Sequence, residues 1–116
     1  MRTSSIKLSP SLKNQLGKTL YQMVADLKDE NEVETFLTDF FNESELETFV
    51  KRLAVAYWLK KGRSYSNIKD NLKVSSATIA SIHESLKKPG VTLAIKKLEA
   101  DEWANVWSEK IRKFVK

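Results

Sequence analysis

Residues Ser66–Leu86 read SNIKDNLKVSSATIASIHESL, the pattern of two short helices joined by a three-residue turn, Lys73-Val74-Ser75. Ile68 and Leu72 lie four apart on the first helix, and Ile79, Ile82 and Leu86 recur at three- and four-residue steps on the second. Side chains at those steps share a helix face. Val74 puts one apolar residue inside the turn. In a helix-turn-helix such positions form a small internal core that fixes the angle between the helices. Ser75 or Ser76 can cap the second helix. Its start carries small residues, Ser76, Ala77, Thr78, Ala80 and Ser81, which allow close approach to a phosphate or a base edge. Lys69 and Lys73 flank this face and suit phosphate contact. The candidate DNA-binding residues are therefore Lys69, Lys73, Ser75, Ser76, Ala77, Thr78, Ala80 and Ser81, with Thr78 on the outward face. One departure from the usual pattern is Lys73, since the first turn residue is often glycine.

Charge distribution points the same way. Eight acidic residues and no Lys or Arg lie between Asp29 and Glu47, whereas Lys51 to Lys97 holds eleven Lys or Arg against Asp70 and Glu84. A basic middle behind an acidic collar favours a polyanionic partner.

The flanks read as helices. The first spans about Pro10 to Lys28, capped by Ser9, with Leu12, Leu16, Leu20, Met23, Val24 and Leu27 on one stripe and Gly17 marking a close helix crossing. A second covers about Glu32 to Phe41. A third starts near Asn42 or Ser44, where Asn42 with Glu45, or Ser44 with Glu47, makes a capping box. It ends at Lys60-Lys61-Gly62, with Leu46, Phe49, Val50, Leu53, Ala56 and Tyr57 as its core face. Pro89-Gly90 marks a break, and a final helix runs from about Val91 to Val115 with a stripe of Leu98, Trp103, Val106, Trp107, Ile111 and Phe114. The fold class is all-α, about six helices in a single domain over 1–116. The helix-turn-helix covers about 66–86, with dimerisation helices at about 10–61 and 91–115. Apolar first and last helices on a chain of 116 residues call for a second subunit.

Other functions find little support. There is no cysteine, His83 is the one histidine, and the three glycines are scattered at 17, 62 and 90, so neither a metal cluster nor a phosphate-binding loop is indicated. The chain does not read as an enzyme. No apolar run suits a membrane span and MRTSSIKLSPS lacks a signal's apolar stretch, so a cytoplasmic location without membrane association is expected. A competing reading is a helical protein-interaction adaptor that docks a partner through Trp103, Trp107 and Phe114.

The stretch FNESELETFVKRLAVAYWLKKGRSYSNIKDNLKVSSATIASI, residues 41–82, resembles the Trp repressor family, in its YerC/YecD-like branch. The matching features are the acidic capped helix, Arg52 in its second half, the helix end from Leu59 to Gly62, the Ser64-Tyr65 start and the Val-Ser-Ser-Ala-Thr-Ile turn and recognition helix. The resemblance implies an intertwined all-α homodimer that regulates transcription by binding a palindromic double-stranded DNA operator. It also implies an effector site at Asn42, Arg52 and Ser81. Family members hold an indole between two arginines. The first falls on Arg52, but the second falls on Ser81, and Ile82 stands where a small residue leaves indole space. A response to L-tryptophan is therefore not expected. The identity of any small-molecule corepressor stays open, and no other cofactor and no metal is called for.

Overall fold

Most helix starts carry a local chemical cause. The computed structural model describes residues 7–114, and side chains as far as Glu102. Every regular element among them is helical: α1 Pro10–Ala25, α2 Glu30–Phe40, α3 Glu43–Lys60, α4 Tyr65–Leu72, α5 Ser76–Glu84 and α6 Pro89–Phe114, with a 3-10 turn over Ser85–Lys87. The chain divides into two units, residues 1–43 and 44–116.

In the first unit, Ser9 caps α1 by accepting from the Leu12 amide at 3.3 Å, and Pro10 takes a position whose amide needs no partner. Asp29 caps α2, accepting from the Glu32 amide at 3.0 Å, so that helix begins two residues before the expected Glu32. Glu32 reaches back to the Lys28 amide at 2.9 Å. Neither α1 nor α2 has a buried residue. Leu12, Leu16, Leu20, Met23 and Val24 form the expected stripe, yet Leu16 keeps half its surface exposed. The expected helix crossing at Gly17 is not found among the described residues, where the atoms nearest an added Cβ belong to Tyr21 of the same helix, at 3.7 Å.

The second unit has a core of Val55 and Ala56 from α3, Ile68 from α4, Ile79 and Ile82 from α5, and Ile95 from α6. Tyr57, Trp58, Leu59, Leu72, Val74, Leu86 and Val91 pack around it. This corrects the expected face of α3. Phe49 and Val50 are 60% and 56% exposed, while Val55 is fully buried. The cause lies in the sequence of α3. Residues 53–59, LAVAYWL, are apolar all round the helix, so periodicity cannot choose the face. The short helices packed beside its second half make the choice. The end of α3 is a Schellman motif: Gly62 sits at φ 87°, its amide bonds to Leu59 O and the Arg63 amide to Trp58 O. Arg63 then lays its guanidinium 3.9 Å from the Trp58 ring centroid.

Pro89 opens α6 rather than breaking the chain before it, since proline suits a first helical position. Leu98 is half-buried and Ile95 carries the burial of this helix. The side chains of Trp103, Val106, Trp107, Ile111 and Phe114, expected to continue the stripe, lie outside the described residues, as does Val115. No helix among the described residues is long and apolar enough to cross a membrane.

Candidate nucleic-acid interface

Two serines and one strained lysine set the geometry of residues 64–84. Ser64 caps α4, accepting from the Asn67 amide at 3.1 Å. Lys73 ends that helix at φ 56°, ψ 49°, the left-handed conformation that glycine adopts most readily. The position where the sequence departs from the usual glycine does keep glycine's backbone shape. Ser75 then caps α5, accepting from the Thr78 amide at 3.1 Å. Ile68 and Ile79 are 0% exposed and hold the two helices together, with Val74 half-buried beneath the turn.

A second link on the outside of the pair had no counterpart in the sequence reading. Tyr65 Oη lies 2.6 Å from His83 Nδ1, and the rings meet edge-on. The two residues are eighteen apart, so no local periodicity connects them. His83 thus braces α4 against α5.

The internal core turns one face of α5 outward. Ser76, Ala77, Ala80 and Ser81 are exposed, as are Lys69 on α4 and Lys73 and Ser75 in the turn. Seven of the eight expected contact residues therefore lie on accessible surface. Thr78 differs. It is half-buried, and its hydroxyl sits 2.9 Å from Ser75 Oγ. Its hydroxyl is engaged with the cap residue, while Ser76, Ala77 and Ala80 keep exposed side chains on the outer face of α5.

Two adjoining grooves run beside this face within the second unit. One, of about 380 Å³, is lined by Arg52 of α3, by Ala77, Thr78, Ser81 and Ile82 of α5, and by Ser85 and Lys88. The other, of about 200 Å³, is apolar and runs between Phe49, Leu53, Ala56, Val91 and Ala94. Both share Arg52, Ile82 and Ser85. Arg52 and Ser81, expected to lie at one effector site, do line one groove. Asn42 belongs to the first unit, where it immediately precedes α3. Ile82 is a core residue, 7% exposed, and lines both grooves. Lys88 was not singled out from sequence. The Lys87-Lys88 pair before Pro89 was the available signal.

The family whose sequence model is described as Trp repressor protein matches residues 15–99, from α1 into α6. A relative described as uncharacterized protein YerC, from Bacillus subtilis (strain 168), is 31% identical over 67 residues, which cover 58% of this chain and 64% of that protein. The aligned part thus spans just under two thirds of that relative's length. Among solved structures, a TrpR-like protein from Eubacterium eligens ATCC 27750 superposes with a TM-score of 0.70 at 29% identity, covering 78% of this chain and 96% of that one.

Proposed function

The chain belongs to the Trp repressor family, and from that premise we propose that it is a non-enzymatic, sequence-specific DNA-binding transcriptional regulator that acts as a homodimer. The observation that carries this reading is the capped α5, with Ser76, Ala77 and Ala80 exposed on a helix whose angle is fixed by Ile68 and Ile79. Small side chains let a helix sit deep in the major groove, where methyl groups meet thymine and hydroxyls meet base edges. Lys69 and Lys73 supply phosphate contacts that fix register without reading sequence.

The second copy would cover the α1 stripe and the outward side chains of α3, Phe49 and Val50. Selection of bound fragments from random duplexes tests the whole reading. A dimer should enrich a two-fold-symmetric site with half-sites about one helical turn apart. Failure to enrich any sequence would sink it.

The regulator is proposed to act without the family's tryptophan response. Ser81 cannot stack on an indole, and Ile82 is packed into the core. Calorimetric titration with L-tryptophan should give no binding below millimolar concentration, and micromolar affinity would overturn this part.

A further inference from the structure

We propose that the groove between α3 and α5 is a phosphate site, with Arg52, Lys88 and Ser81 as its donors. The inference deepens the regulator reading, on which its role in regulation rests, by naming the chemistry the Arg52 groove takes.

The lining decides the charge of the ligand. Arg52 and Lys88 bring two cations to one groove of about 380 Å³, and no Asp or Glu is among its lining residues. Neither cation has an ion-pair or hydrogen-bond partner for its side chain among the described residues, where Lys51 pairs with Glu47 and Lys61 with Glu102 instead. The hydroxyls sort themselves. Ser85 Oγ already donates to Ile82 O at 2.6 Å, and Thr78 Oγ1 is paired with Ser75 Oγ. Ser81 is the lining hydroxyl with no hydrogen-bond partner among the described residues. The resulting set is a planar guanidinium, an ammonium and one hydroxyl, all donors. A fork of N–H groups beside a point charge matches the oxygens of a phosphate. A single carboxylate would leave one cation unanswered. Ala77 and Ser81, both small and exposed, line the groove and also belong to the α5 face proposed to meet DNA.

That chemistry has two sources, a backbone phosphate of the duplex and a phosphorylated small molecule. The adjoining apolar groove along Phe49, Leu53, Val91 and Ala94 shares Arg52 with the phosphate groove, so a phosphate ester with an apolar body could use both.

The test uses the full chain, isotopically labelled, at constant ionic strength. Inorganic phosphate replacing chloride should move the amide signals of Ser81 and Lys88 saturably. Arg52→Gln and Lys88→Gln, exposed positions where folding should persist, should each weaken this at least tenfold, and Lys97→Gln should not. Two further arms identify the source. If the duplex supplies the phosphate, Arg52→Gln lowers the salt slope for random duplex by ~1 and inorganic phosphate competes with duplex. If a small molecule supplies it, phenyl phosphate binds more tightly than inorganic phosphate and the slope is unchanged. Either result supports the site. Shifts no larger in phosphate than in chloride, or shifts unaffected by both substitutions, overturn it. A chain that binds no duplex but still shows the saturable phosphate shifts would refute the regulator reading and leave the phosphate site standing.

Discussion

The helices of residues 7–43 and those from residue 44 onward carry equally regular apolar stripes, yet only the second set buries them. Ile68 and Ile79 are 0% exposed, whereas Leu12 and Leu20 on α1 keep 42% and 47% of their surface. The difference follows from chain geometry. α4 and α5 are short, joined by a tight turn, and meet the second half of α3 and the start of α6, so a few isoleucines close a core. α1 and α2 offer one face each and bury no residue. Periodicity in a sequence shows which face a helix wants to hide. It does not show what hides it. In the proposed dimer, a second copy supplies the cover, and hiding Leu12, Leu16, Leu20 and Val24 would contribute on the order of 1 kcal/mol each.

The largest effect should come from the region that is closed already. Ile79→Asp puts a carboxylate where no water reaches and should destabilise the second unit by roughly 3–5 kcal/mol. Its thermal melt by circular dichroism should lose the cooperative transition. A wild-type melt would mean that this core is not self-contained.

Leu16→Asp combined with Leu20→Asp should act on the other region alone. Sedimentation should show the protein shifting from dimer to monomer, with association weakened at least a hundredfold. The amide spectrum of α4 and α5 should stay in place. Loss of those signals would show that the two regions depend on each other for folding.

Lys73→Gly should give a small gain, about 0.5 kcal/mol, by relieving the left-handed backbone at the turn. Chemical denaturation reads this directly. A loss of stability would mean that the lysine side chain contributes more than its backbone strain costs.

What the sequence made legible was local. Ser9 and Ser75 as caps, the turn at Lys73-Val74-Ser75 and the Ile68–Ile79 core all follow from spacing and side-chain chemistry within a few residues. The misses were choices between equally apolar faces or contacts across distance. The run at 53–59 hid the fact that Val55, not Phe49, would be buried. Ile95 was overshadowed by the aromatic residues further along α6. Thr78 was placed outward by helical phase, but its hydroxyl found the Ser75 cap beside it. Tyr65 with His83 and Arg52 with Lys88 come together only once α3, α4 and α5 are packed, so no sequence window contains either pair.

The central claim is that α5 is the reading head, and Ala80 tests it most directly, being small, exposed, outside the phosphate groove and free of any role in the cap. The measurement is the ratio of affinities for a selected duplex and a random one, for wild type and Ala80→Tyr, with circular dichroism on both. The wild-type chain should prefer its selected duplex by on the order of a thousandfold or more. Ala80→Tyr should lose that preference while keeping weak general binding and wild-type helix content. A folded Ala80→Tyr variant that retains the full ratio would contradict the assignment of α5.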